Sequence, residues 1–274
     1  MSFGIITHKS FVNSWECDEN VHLNVQFYWK RFGQAAQIFQ QAEGLTPQRW
    51  TNRHVRYHAE LGMSANTMVR SASLANNKTI VHLLYGAGGD VLSATAVDDY
   101  SSTFEKTNSH VEAVPSAALP RSLKKEPLDI VDTNAILESH NGVRSHLSAI
   151  ARNECDGDGV LLDENHISRF SDAAGHFWHH MGIDRAWMQD QNLGSVAVEM
   201  KATRHALPEA DMITEIISWI DQVSEKTFSF RHQVQDRISG TVLYSGAVTA
   251  LMMDMTERRA VILPDAFRAK VSGN

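Results

Sequence analysis

Apolar residues follow a helical rhythm in two places along the chain. In the first, Val25, Tyr28, Phe32, Ala35, Ala36, Phe39 and Ala42 fall on the i, i+3, i+4, i+7 pattern and make one continuous stripe. Asn24 ahead of it suits an N-cap, and Gly44 behind it suits the left-handed position that ends a helix. In the second, Phe170, Ala173, Ala174, Phe177 and Met181 repeat the stripe. Asp163 and Glu164 stand at its start, where acids suit the helix dipole, and Gly182 closes it. Small paired alanines inside a buried stripe predict a helix lying close against a sheet. Beyond each helix the rhythm changes to that of strands, at 79–85 and 91–97, then at 228–234 and 242–252. Gly86–Asp90 and Ile238–Gly240 read as hairpin turns between them. The predicted class is α+β, with one long helix on an antiparallel sheet, twice over.

The two stripes belong to a repeat. Glu16-Cys17-Asp18 recurs as Glu154-Cys155-Asp156, 138 residues on. At that offset, ten of the thirty positions from 16 to 45 are identical in 154–183: Glu16, Cys17, Asp18, Leu23, Arg31, Phe32, Ala35, Ala36, Phe39 and Gly44. Average composition would give about two. Lys78-Thr79 with Lys226-Thr227, Val91-Leu92 with Val242-Leu243, and Pro115 with Pro264 continue the match in the same order. A whole domain is therefore duplicated. The Ser-, Pro- and Lys-rich stretch from Lys106 to about Ile130 has the composition of an exposed linker, which puts the two domains at 1–125 and 126–274.

Composition narrows the function classes. A chain of 274 residues, 43% apolar and 21% charged, can bury a core without disulfides or metals, and two cysteines make no disulfide framework. A formal net charge of -7 argues against non-specific nucleic-acid binding but leaves room for a local basic patch. The first residues lack a secretory leader, and no apolar run is long enough to span a membrane, so a cytoplasmic protein is expected.

The specific signal lies just ahead of each helix. Residues 16–24 read E-C-D-E-N-V-H-L-N, and residues 154–162 read E-C-D-G-D-G-V-L-L. Both resemble the segment that precedes the long helix in hotdog-fold acyl-CoA thioesterases of the 4-hydroxybenzoyl-CoA type. The resemblance extends through the alanine-bearing helix, the strands and the closing prolines, and the duplication is similar to tandem (double) hotdog members. It implies an α+β fold of two tandem hotdog domains and hydrolysis of an acyl thioester. The family's catalytic carboxylate falls on Asp18 and Asp156, acting either by direct attack or as a general base on water. Its oxyanion donors fall on backbone N–H groups at the helix start, near Val25 and Gln26 in the first copy and Asp163 and Glu164 in the second. His22, Asn24 and Gly159 are carried over as substrate-side residues. No metal or redox cofactor is implied; coenzyme A enters as part of an acyl-CoA substrate. No nucleic acid or membrane partner is implied, and such fused pairs can associate further as homo-oligomers.

The copies depart from the motif in opposite ways. The first keeps His22 and Asn24 but has Val21 where glycine is usual, and a β-branched residue adopts a positive φ only at a cost. If the turn needs one, the loop must differ there. The second keeps Gly159 but has Val160 and Leu162, and the charge of Asp163 would oppose an oxyanion. Asp18 is therefore favoured over Asp156. Two rival functions stay open: a hotdog hydratase or dehydratase using Asp18 with His22, and a non-catalytic acyl-CoA-binding protein in which both Asp residues only cap a turn. Cys17 and Cys155, each between two acids, read as packed under the sheet, not as nucleophiles. His176, His179 and His180 share one helix face, but the first copy has Ile38, Gln41 and Ala42 there, so partly buried or interfacial histidines are favoured over a metal site. Lys201, Arg204, Arg121 and Arg268 are either partners for coenzyme A phosphates or ordinary surface charge.

Overall fold

A computed structural model describes residues 3–139 and 142–272. In chain order the elements are β1 (Ile5–Phe11), α1 (Val25–Ala42), β2 (Asn52–Tyr57), β3 (Asn66–Leu74), β4 (Thr79–Gly86), β5 (Val91–Asp99), β6 (His110–Val111) and α2 (Thr133–Glu138). They continue with β7 (Val143–Ala149), α3 (Asp163–His180), α4 (Arg185–Asp190), β8 (Leu193–Arg204), β9 (Ile213–Val223), β10 (Thr227–Asp236), β11 (Val242–Asp254), β12 (Arg259–Ala260) and α5 (Asp265–Ser272). The chain forms two compact units. Unit one is Met1–Lys125 with Leu162–Ile167, the start of α3; unit two is Glu126–Leu161 with Ser168–Asn274.

Unit one holds strands in the order β1-β3-β4-β5-β2, all antiparallel, with β6 parallel to the end of β3. Helix α1 packs on β1, β3 and β4. It buries Tyr28, Phe32, Ala35, Ala36 and Phe39, the middle of the predicted stripe, and Trp29, which lay outside it, while Val25 and Ala42 at its ends stay at least partly exposed. Its ends are made as the sequence predicts. Asn24 Oδ1 accepts the Gln26 N–H at 3.1 Å, and Gly44 turns the chain at φ 68°, so that the Leu45 N–H reaches the Gln40 carbonyl at 2.8 Å. Unit two repeats the plan, with strands β7-β9-β10-β11-β8 and β12 beside β11. Phe170 of α3 stacks on His232 and sits so close to β11 that a Cβ on Gly246 would lie 2.3 Å from its ring. Gly182, at φ 63°, ends α3 as Gly44 ends α1.

The sheet registers correct the sequence pairing of the strands. His82 faces Ala96 and His232 faces Gly246, and both hairpins carry a bulge, after Leu84 and after Val234. The hairpins therefore overlay at an offset of 150 residues (His82 to His232). Thr79 matches Ser229, not Thr227, and Val242 matches Leu92, not Val91.

The predicted exposed linker is a strap in both units, because a segment crossing a sheet must give its backbone polar groups partners. In unit one, Arg56 Nη1 donates to the carbonyls of Ala117 and Leu119 at 2.9 and 3.0 Å, and Ala118 is buried against Val81 and Leu83. In unit two, the Leu128 N–H donates to Thr203, the Val131 N–H to Gln233, and Arg231 to the Asp129 carbonyl, at 2.8, 2.9 and 2.8 Å. Lys201, read from sequence as phosphate partner or surface charge, is buried, and its ammonium donates to the Glu126 carbonyl.

Each core contains the same polar spine. Thr7 sits at a bulge of β1 and bonds Ser71 at 2.6 Å, and Ser71 bonds His82 Nδ1 at 2.6 Å. Ser145, at the matching bulge of β7, bonds Ser218, and Ser218 bonds His232 Nδ1, again at 2.6 Å each. Neither far ring nitrogen makes a hydrogen bond, but their surroundings differ: His82 Nε2 lies 3.4 Å from the Asp98 carboxylate, and Val248 stands at the matching position beside His232. Burial alone pushes His232 down to about 3. The unfolded chain therefore takes up a proton near pH 6.5 that the folded chain refuses until about pH 3. Stability from this group is present above that range and is lost as pH falls through it, at about 1.4 kcal/mol per pH unit. In denaturant titrations between pH 4 and 6, His232→Gln should flatten the stability–pH slope by one proton. An unchanged slope would mean that His232 does not remain neutral in the fold.

Candidate active site

The Asp-containing loop is built by local hydrogen bonds. Asp18 Oδ1 accepts the N–H groups of Asn20 and His22 at 2.9 and 3.1 Å, the Asp18 N–H donates to the His22 carbonyl at 2.8 Å, and the Val21 N–H donates to the Asp18 carbonyl at 3.1 Å. No hydrogen bond from a described residue reaches Oδ2, and Asp18 is only half-buried. The second copy repeats each bond. Asp156 Oδ1 accepts from Asp158 and Val160 at 3.0 Å each, and the Asp156 N–H donates to the Val160 carbonyl at 2.8 Å. The tip residue is left-handed in both loops, Gly159 at φ 81° and Val21 at φ 63°. The expectation that valine forces a different loop is thus overturned: the two aspartate-centred networks are the same, and Val21 carries the strain.

An ion pair ties each loop to its helix. Arg31 grips Glu16 at 3.0 and 3.3 Å and also donates to the carbonyls of Phe27 and Phe11. Arg169 grips Glu154 at 2.9 and 3.0 Å and donates to the Ala149 carbonyl. Burial would raise the Glu16 carboxyl, but the bonds and charge of Arg31 and the Asn13 N–H outweigh it and hold it below the usual range. Sequence reasoning recorded Glu16 and Arg31 as repeated residues without giving them a role. Their identity in both copies was the available signal.

The helix start ahead of α1 offers one uncommitted donor. Asn24 takes the Gln26 N–H, and the Phe27 N–H donates to the Asn24 carbonyl at 3.0 Å. The Val25 N–H is left with no partner among the described residues. Of the donors expected near Val25 and Gln26, Val25 is the one free in this structure. His22 lies across the loop: its N–H belongs to the Asp18 network, while its ring Nδ1 is 3.4 Å from Glu60 Oε2. Tyr28 is buried below. Burial first, with the charges of Glu60 and Asp18 pushing the same way, holds its phenol protonated well above neutrality. Glu60 and Tyr28 were not anticipated; Glu60 comes from the segment ahead of β3, and sequence spacing did not connect it to His22.

The comparisons give this geometry a context. A model of the thioesterase-like superfamily matches residues 151–271. No curated protein matches the chain. Among solved structures, a putative oleoyl thioesterase from Lactobacillus plantarum aligns over 90% of this chain and 96% of its own, at 8% identity and a TM-score of 0.65. An acyl-ACP thioesterase from Bacteroides thetaiotaomicron aligns over 89% and 96%, at 10% identity and 0.58. The 12:0-ACP thioesterase from Umbellularia californica aligns over 89% and 92%, at 8% identity and 0.58. The fold is that of two hotdog domains in tandem. Its second domain carries the thioesterase-like sequence pattern, and the first repeats that fold.

The two hotdog domains differ most at one buried place. In the first, Arg53 of β2 pairs with Asp98 of β5, at 2.7 Å from Nε and 2.5 Å from Nη2. The same guanidinium reaches Asp163 Oδ2 at 2.6 Å. Burial would push Asp98 up, but the charge and bonds of Arg53 outweigh it and bring it to about 2. By sheet register, the matching positions of the second domain hold Met200 and Val248. The Asp163 charge, expected to oppose an oxyanion at the start of α3, is ion-paired with Arg53.

The remaining candidates lose their chemistry here. Cys17 and Cys155 are half-buried in the turns, not under the sheet, their sulfurs 3.4 and 3.5 Å from the carbonyls of Asn13 and Ala151. Burial first, then Glu154 and Asp156, push the Cys155 thiol up, away from a nucleophile's range. His176, His179 and His180 are exposed in the chain, not partly buried, and His179 sits 3.3 Å from Asp184. Among the described residues no three metal-binding side chains converge, and no helix is long and apolar enough to cross a membrane. Arg268 is spent on the carbonyls of Leu263, Ser224 and Glu225.

The strain at Val21 is measurable. A left-handed β-branched residue costs about 1–2 kcal/mol, and glycine gives back part of that through its own chain entropy. Val21→Gly should raise unfolding stability by about 1 kcal/mol, and Gly159→Val should lower it by a similar amount. A Val21→Gly variant no more stable than the parent would show that the turn does not hold Val21 at positive φ.

Proposed function

We propose that this double-hotdog protein hydrolyses acyl thioesters of the acyl-CoA kind, with Asp18 as the carboxylate that attacks or activates water. The observation that carries the reading is the division of labour within that carboxylate. Oδ1 is held by two N–H groups of its own loop, and Oδ2 stays available ahead of the α1 helix start. The Val25 N–H, at the positive end of the helix, supplies a donor for the developing oxyanion. Asn24 caps the Gln26 N–H and leaves the Val25 donor uncovered. Tyr28, kept protonated, adds no charge beside Asp18. The acyl-carrier thioesterases among the structural neighbours share the chemistry of attack at a thioester carbonyl, and coenzyme A is the carrier proposed here.

The hydratase reading loses ground. It needs the His22 ring as the acid–base partner of Asp18, and that ring turns to Glu60 instead. His22 then serves to hold the 58–63 segment against the loop, where the His22 and Gly62 backbones also pair.

A panel of acyl-CoAs with free thiol monitored tests the proposal. Thiol release should fall about 10²–10⁴-fold in Asp18→Asn, the range for losing a positioned acid–base group. Asp156→Asn should turn over near the parent's rate. Release that persists in Asp18→Asn removes the mechanism. Water addition to an enoyl-CoA without thiol release selects the hydratase, and tight acyl-CoA binding with neither activity selects a binding protein.

A further inference from the structure

The environment of Arg53 is a fitted socket, and all of it lies in unit one. The guanidinium is fully buried against two edge-to-face indoles, 5.5 Å from the Trp29 ring and 5.2 Å from the Trp50 ring. One edge of it is taken by Asp98. The other edge, Nη1, meets Asp163 Oδ2 at 2.6 Å, and the Trp50 indole N–H meets Asp163 Oδ1 at 2.9 Å. Each oxygen of one carboxylate thus has its own donor. Gly33 of α1 clears the space: a Cβ there would lie 2.6 Å from Asp163 Oδ2. Burial would push the guanidinium down, but the charges of Asp163 and Asp98 outweigh it and keep Arg53 ionised. One cation faces two anions, and the second anion sits at the first residue of α3, where the helix dipole offsets it.

The second copy lacks the charged residues and the glycine of the socket together. Ser171 stands at the Gly33 position, Met200 and Val248 at those of Arg53 and Asp98, and Val25 at that of Asp163. The charged pair Arg53–Asp98 of one unit is the apolar pair Met200–Val248 in the other. A buried cation retained without its anion would be strongly destabilising, so Arg53 and its acids are kept or lost together.

We propose that Arg53, Trp50 and Gly33 form a carboxylate-binding socket whose resident ligand is Asp163 of the same chain. This occupancy takes the start of α3 out of use as an oxyanion site, since the anion there is already the protein's own. Glu164 adds a second carboxylate to the same turn; burial first, then Asp163, push it up. The start of α1, with Val25 in the matching place, is the one left for an external acyl oxygen. The consequence for catalysis rests on the thioesterase reading; the socket itself does not.

The test uses the full chain and needs no turnover, so a failure of the thioesterase reading leaves it intact. Asp163→Ala should lower Tm by roughly 5–10 °C. Sodium formate or acetate should restore part of that loss, saturably, where sodium chloride of equal ionic strength does not. Asp163→Asn, whose amide fills the space without charge, should show no such difference between salts. The Trp50 indole N–H resonance should move in Asp163→Ala and return toward its parent position with formate. If Asp163→Ala does not fold, its refolding yield in formate against chloride reads the same socket. Equal effects of both salts on Asp163→Ala, or a variant as stable as the parent, would overturn the proposal.

Discussion

A guanidinium with no access to water must be matched by charge within its own shell, and much of what distinguishes the two halves of this protein follows from that requirement at Arg53. Asp98 supplies one match across β2 and β5, and Asp163 supplies the other. Trp29 and Trp50 give the cation flat, polarisable walls, and Gly33 keeps α1 from intruding. Buried ion pairs contribute little net stability compared with apolar groups of equal volume, and Met200 with Val248 show that this fold accepts the apolar solution. What the ion pair adds is specificity. It fixes one carboxylate at one helix start and gives His82 an acidic neighbour that His232 does not have.

Local and distant interactions divide the site between them. The Asp loop needs only its own four or five residues, so it forms in both copies from different sequences, one with Gly159 at the tip and one with Val21 held left-handed. The Glu–Arg pair then seats the loop on the helix in the same way each time. Neither feature separates a working carboxylate from a structural one. In the mechanism proposed above, the separation comes from the next residues along each helix start: Asn24 and Val25 leave an N–H open among the described residues, whereas Asp163 and Glu164 place carboxyl groups at the other start.

This explains which parts were legible in the sequence. The two long helices, their caps at Asn24, Gly44 and Gly182, the strands around His82 and His232 and the duplicated loop all rest on short-range patterns, and the chain shows them directly. The loop network of Asp18 and Asp156 was legible as a motif, although the strain at Val21 was misjudged because a local hydrogen-bond network outweighed the residue's own preference. The polar spine was not legible. Thr7, Ser71 and His82 interrupt an apolar pattern and read as solvent-facing until the bulge of β1 turns Thr7 inward. Lys201 misled for the same reason: its partner is a backbone carbonyl of the strap, and no side-chain pattern announces it. The pairing of Arg53 with Asp163 spans 110 positions, beyond the reach of any spacing argument.

The central claim is that two nearly superimposable loops leave one working site. Calorimetric titration of the full chain with a non-hydrolysable acyl-CoA thioether counts those sites without relying on rate. The account predicts one molecule bound per chain, with binding weakened in Asp18→Asn and unchanged in Asp156→Asn. Two equivalent molecules bound per chain would contradict it.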